Sequence, residues 1–127
     1  MLASDVPSPA LLVSRDLFFT SKVTGTAEML GIAMCVVGDA QAAVEHIAAE
    51  SYACVFVDLA DPGLDVAGFF ARLPADRRPP VVAFGSHVAT ARLQAARDAG
   101  CDDVLPRSRF SASLPELLKA YCGKSGG

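Results

Sequence analysis

The sequence predicts a single doubly wound α/β domain built on a parallel sheet of five strands. Three observations predict it. Five short apolar runs rich in β-branched residues alternate with segments whose apolar residues recur every three or four positions. Each pair of runs is separated by one such segment, and strands joined by single helices pair in parallel through right-handed crossovers, with helices covering both faces. The chain has 127 residues, 52% of them hydrophobic, which leaves room for one core and no second domain.

The first strand is expected over Ala10 to Val13. Phe19, Val23, Ala27 and Leu30 follow at helical spacing; Phe19 belongs to the core, and Phe18 is expected outside, where a large apolar side chain suits a partner surface. Ile32 to Val37 reads as the second strand. Asp39 stands as N-cap before Val44, Ile47 and Ala48, and His46 in this helix is expected at the surface. Cys54 to Val57 is the third strand and runs directly into Asp58. Asp65 caps a third helix facing inward through Val66, Phe69, Phe70 and Leu73, a role that accounts for this carboxylate without chemistry. Arg77-Arg78-Pro79-Pro80 is a solvated connector into the fourth strand, Val81 to Phe84. The fourth helix is expected from Val88 to Ala99, ended by Gly100, and Val104-Leu105 forms the fifth strand. Ser113 with Glu116 has the spacing of a capping box ahead of Leu114, Leu117, Leu118 and Tyr121. Residues 1–9 are expected to be a disordered N-terminus, 10–122 the domain, and 123–127 a flexible tail. Gly123-Lys124-Ser125 is no phosphate loop, because it follows a helix and precedes no further element.

A formal charge of −3 with scattered arginines gives no basic stripe, so direct nucleic-acid binding is not expected. No apolar run approaches the ~18 residues that span a bilayer, and Met1 to Pro9 lacks the basic start and apolar stretch of a secretory leader. A cytoplasmic protein is the expectation. Cys35, Cys54, Cys101 and Cys122 form no CxxC pair and lack metal-ligand spacing, so they read as reduced core thiols.

Function in such a fold concentrates at the carboxyl ends of the strands, near the point where strand order reverses. Those ends carry Ser14, Arg15 and Asp16, then Asp58, then Gly85, Ser86 and His87, and finally Arg107. Asp58 is the most informative of them. It is a carboxylate delivered by the most apolar stretch of the chain, Ala53 to Val57, into the proline-bearing loop Leu59-Ala60-Asp61-Pro62-Gly63. Ser86 reads equally as an N-cap, and His87 as a solvated histidine at the start of a helix.

With these residues in place the chain resembles the response-regulator receiver family, the phosphoacceptor domain of two-component signalling. Tyr52 to Asp58 followed by Pro62 and Asp65 is similar to the phosphoacceptor strand and loop, and Ala99-Gly100-Cys101-Asp102-Asp103-Val104-Leu105 to the segment entering the fifth strand. The resemblance covers about Ala10 to Tyr121 and implies the flavodoxin-like strand order 2-1-3-4-5. It also implies an acidic pair binding Mg²⁺, a Thr or Ser after the fourth strand and a Lys after the fifth, because phosphoryl transfer to a carboxylate concentrates negative charge that metal and lysine must neutralise. Residue by residue, the acidic pair falls on Ser14 and Arg15, the Thr on Gly85 beside Ser86, the Lys on Arg107, and the aromatic of the fifth strand on Val104. Ser108 takes the place of the proline that follows the lysine. Asp58 alone is retained, and Arg15 introduces a cation where the metal would sit.

The leading expectation is therefore a pseudo-receiver: a degenerate, non-enzymatic signalling module acting by protein–protein interaction, with no cofactor. Arg15, with Arg107, is expected to neutralise Asp58. The alternative is a functional phosphoacceptor receiver in a phosphorelay, phosphorylated on Asp58, with Mg²⁺ held by Asp58 and Asp16 or Asp61. A further alternative is a small-ligand or anion-binding domain using Arg15, Arg107 and His87. The expected partner is a protein, a signalling kinase or regulator, with homodimerisation open; no membrane partner is expected.

Overall fold

The computed structural model describes residues 8–76 and 78–123. Its elements follow in the order β1 (Ala10–Val13), α1 (Leu17–Met29), β2 (Met34–Val37), α2 (Ala40–Ala49), β3 (Cys54–Asp58), α3 (Val66–Ala71), β4 (Val81–Gly85), α4 (Thr90–Ala99), β5 (Asp103–Pro106), α5 (Arg107–Ala112) and α6 (Leu114–Cys122). The five strands form one parallel sheet in the order β2-β1-β3-β4-β5, as expected for a doubly wound fold. The strand order reverses between β1 and β3, and Asp58 ends β3 at that point.

Two apolar layers sandwich the sheet. On one side Leu11, Val13, Val55, Val57 and Ala83 pack beneath α2, α3 and α4, with Ile47, Phe69 and Leu93 as their main partners. On the other, Leu12, Phe56, Val82 and Phe84 meet Phe19 and Val23 of α1, Phe110 of α5, and Leu114 and Leu118 of α6. Period-two alternation along β3 thus turns Cys54 and Phe56 toward α1, α5 and α6, and Asp58 shares that parity. Both faces of the central strands are covered, which is why β3 and β4 are buried at every residue.

Asp39 and Asp65 are N-caps, accepting hydrogen bonds from the N–H groups of Ala42 at 2.8 Å and Gly68 at 3.1 Å. Gly100 adopts φ 109° as it ends α4, a left-handed conformation that a side chain would strain. In α1 the inner face is Phe19, Val23 and Ala27, with Phe18 92% exposed. In α2 the expected Ile47 is buried together with Ala43, the expected Val44 packs against the core at partial exposure, and Ala48 is exposed. His46 is half-buried rather than a surface residue.

The end of the domain departs most from expectation. The chain becomes helical at Arg107, as α5, and Ser113 lies between α5 and α6 in a near-helical conformation with no side-chain cap bond. The predicted capping box is absent. Ser113 N–H donates to Arg109 O at 3.0 Å and Leu117 N–H to Ser113 O at 2.9 Å, so helical bonds flank the interruption. Pro115 explains it, since proline has no N–H to continue the ladder and is tolerated in a first turn. At the other end, the Pro9 carbonyl accepts from Ala53 N–H at 2.9 Å, extending the β1–β3 ladder by one residue. The expectations for residues 1–7, Arg77 and residues 124–127 lie outside the described residues.

Candidate functional site

Asp58 is 4% exposed and fully hydrogen-bonded. Its Oδ2 accepts from Ser14 Oγ at 2.8 Å; its Oδ1 accepts from Ala60 N–H at 2.9 Å and from Arg107 Nη2 at 2.7 Å. Arg107 arrives from the β5–α5 junction, and its guanidinium lies over the rings of Phe19 at 4.6 Å and Phe84 at 5.4 Å. Those rings belong to an aromatic cluster in which Phe84 stacks on Phe110, with centroids 4.2 Å apart. A planar cation held between a carboxylate and aromatic faces is a charge-assisted, cation–π arrangement that lysine's ammonium reproduces poorly.

Ser14 is 6% exposed and has a second bond: its Oγ accepts from Asp16 N–H at 3.2 Å. This fixes the turn out of β1 and aims the Ser14 hydroxyl at Asp58. Successive residues of an extended chain point to opposite sides, so with Ser14 turned inward Arg15 is turned out. Arg15 is exposed, and its Cγ lies over the β2–α2 turn, 4.0 Å from where a Cβ on Gly38 would stand. The expected Arg15–Asp58 pair is therefore not formed. Asp58 pairs with Arg107 instead.

Asp16, the expected reserve metal ligand, is the N-cap of α1 and accepts from Phe19 N–H at 3.0 Å. Asp61 is likewise occupied locally, accepting from Gly63 N–H at 2.9 Å. Gly85 ends β4 in a tight place: a Cβ there would meet Leu59 Cβ at 3.2 Å and Leu93 Cδ2 at 3.6 Å. Ser86 is exposed and does not cap α4, whose N-cap is Ala89; its Oγ accepts from Val88 N–H at 3.3 Å. His87 is exposed beside it, and Val104 is buried.

A cleft of about 300 Å³ adjoins the site, bounded by Ala60, Gly85, Ser86, Arg92 and Arg107. Its cations are already engaged. Arg107 is committed to Asp58, and Arg92, which nothing in the sequence singled out, donates to the carbonyls of Leu59, Asp61 and Leu64. An arginine inside an Ala-rich helical stretch carries no signal of its target, because the acceptors are backbone oxygens 28 to 33 residues away.

The residues present do not fit Mg²⁺, which depends on carboxylate oxygens. The Ser14 hydroxyl and the Arg107 guanidinium both donate to Asp58, and among the described residues Asp58 is the one buried carboxylate. Among the described residues no group of three or more His, Cys, Asp and Glu is placed to hold a metal ion.

Sheet order, helix layers and a strand-end carboxylate beside a β5-end cation together define the receiver fold. Solved receiver structures superpose on it over nearly its whole length. The receiver domain of a sensor histidine kinase from Pseudomonas aeruginosa, solved with magnesium in its active-site cleft, matches with TM-score 0.78 and 21% identity, covering 94% of this chain and all of that one. A response regulator from Hahella chejuensis matches with TM-score 0.78 and 14% identity over 90% of this chain and 94% of its own. The receiver domain of Saccharomyces cerevisiae Ssk1, crystallised with the histidine phosphotransfer protein Ypd1, matches with TM-score 0.73 and 15% identity over 92% and 91%. No protein-family model and no curated protein matches the chain.

Proposed function

We propose that the chain is a degenerate receiver, a signalling module that works by protein–protein contact and does not accept a phosphoryl group on Asp58. The buried Asp58–Arg107 pair carries this reading. In-line attack on phosphorus needs a carboxylate oxygen free to approach and a cation that neutralises the arriving charge. Here Oδ2 is bound to Ser14, Oδ1 is bound to Arg107, and the position of the metal-binding acidic pair is held by a serine and an outward arginine. This reading gives the module no catalysis of its own: the Ser14 hydroxyl is spent on Asp58, and that carboxylate is neutralised by Arg107.

The partner on this reading is a protein of a phosphorelay, by analogy with the Ssk1 receiver and its phosphotransfer protein. The cytoplasm is the compartment that goes with it. Among the described residues no helix is long and apolar enough to cross a membrane. The anion-binding alternative relies on Arg15, Arg107 and His87; Arg15 and His87 do not line the cleft beside Asp58, and Arg107 is bound to Asp58.

Incubation with phosphoramidate or acetyl phosphate and Mg²⁺, followed by intact-mass measurement, separates the readings. The expected result is no mass gain over an Asp58→Asn control. A phosphoryl adduct on the native chain that Asp58→Asn abolishes would establish the phosphoacceptor alternative.

A further inference from the structure

We infer that Arg92 is a positioning residue that ties helix α4 to the loop following Asp58, so that a change at the Asp58–Arg107 pair is passed to α4. Arg92 Nε donates to Leu59 O at 2.7 Å, and its Nη2 donates to Asp61 O at 2.8 Å and Leu64 O at 3.2 Å. One side chain thus grips three carbonyls spread along the whole loop. The near end of the same loop is bound to the site itself, since Ala60 N–H donates to Asp58 Oδ1, the oxygen that Arg107 also holds. Leu59 N–H donates to Phe84 O at 2.9 Å, which anchors the preceding peptide to β4. A continuous chain of hydrogen bonds therefore runs from Arg107 through Asp58, Ala60 and Leu59 to Arg92.

The guanidinium suits this role for a geometric reason. Its donors diverge in one rigid plane, so carbonyls on different sides are held at a fixed separation, whereas an ammonium on a flexible stem bonds one or two and leaves the others free. The two clefts beside the clasp, of about 230 and 300 Å³, both include Leu59 and Arg92 in their walls, while Leu59 and Leu64 of the loop share the core with Leu93 of α4. Substitutions at the two ends of this chain test the coupling.

The inference deepens the reading above by naming the element through which the site would bear on a partner. Its test uses the chain alone, so its failure leaves the phosphorylation result untouched, and an adduct on Asp58 leaves the clasp standing. Amide NMR shifts are compared for Asp58→Asn in the native background and in Arg92→Met. The expected result is that Asp58→Asn displaces α4 amides, Thr90 to Ala99, in the native background and leaves them in place when Arg92 is methionine. Arg92→Lys should behave like methionine in this respect. Hydrogen exchange at Gly63 and Leu64 should quicken about tenfold or more in both variants, in line with the loss of hydrogen bonds to a charged donor. Equal displacement of α4 with and without Arg92, or none in either background, overturns the inference, as does unchanged exchange in the loop of a folded Arg92→Met chain.

Discussion

Arg107 crosses from the end of β5 to reach a carboxylate two strands away, and the reason lies in what surrounds its path. The rings of Phe19 and Phe84 lie under the guanidinium, with Phe110 stacked against Phe84, so the cation is held by dispersion and quadrupole as well as by Asp58. Breaking such a pair on one side is costly when the charge left behind is buried. Arg107→Met strands Asp58, whose side chain is 4% exposed, and should lower unfolding stability by about 2–4 kcal/mol in urea titrations. Asp58→Asn leaves a cation whose side chain keeps 29% exposure and should cost less, about 1–2 kcal/mol. The double variant should recover part of the loss, with a coupling of about 1–3 kcal/mol. Arg15→Ala should change stability by less than about 0.5 kcal/mol, since that side chain is exposed and outside the pair. The choice between the two arginines was not legible in the sequence. Arg15 follows the strand adjacent to Asp58, and only the inward turn of Ser14, fixed by its bonds to Asp58 and Asp16, puts Arg15 on the wrong side.

The starts of α1, α2, α3 and α6 each offer a polar residue at the N-cap, yet these starts are not equivalent. Asp39 and Asp65 accept from the N–H groups of Ala42 and Gly68, while Ser113 caps nothing. Asp39→Ala and Asp65→Ala should therefore each cost about 1 kcal/mol in thermal or urea unfolding, and Ser113→Ala should be close to neutral. The two aspartates were readable because an N-cap depends on local spacing alone. The last helix misled for an equally local reason. Ser113 and Glu116 have capping-box spacing, but the chain is already helical from Arg107, a turn whose residues, Arg107-Ser108-Arg109-Phe110, show no apolar period. Strands were the easiest elements to read, because burial on both faces writes them as unbroken apolar runs. Their ends shifted by one or two residues, as β2 shows: it begins at Met34, after the tight turn at Gly31 with φ 73° and the coil of Ile32 and Ala33.

Across the whole molecule, the sheet is pinned at both ends by charge, and only one end is the candidate site. At the carboxyl end stands the Asp58–Arg107 pair; at the amino end Asp102 joins edge strand β5 to β4. Its N–H donates to Val81 O at 2.8 Å while its Oδ2 accepts from Val81 N–H at 2.7 Å and from Arg78 Nη1 at 3.0 Å. The sequence placed Asp102 in the segment entering β5 without hinting at this staple, because its acceptor role is set by a strand 21 residues away. Burial opposes ionisation of Asp102, but the bonds from Arg78 and Val81 outweigh it and hold its pKa below the ordinary 3.8. A carboxylate whose folded pKa is depressed contributes stability above its unfolded pKa, and that contribution is lost as pH falls through the folded value. The melting temperature should therefore fall on acidification from pH 5 through about pH 4 and below, and part of that fall should vanish in Asp102→Asn, whose curve starts lower and runs flatter. Thermal melts of both chains across that range check it. Parallel curves would show that the staple holds β5 through its neutral hydrogen bonds and not through the carboxylate's charge.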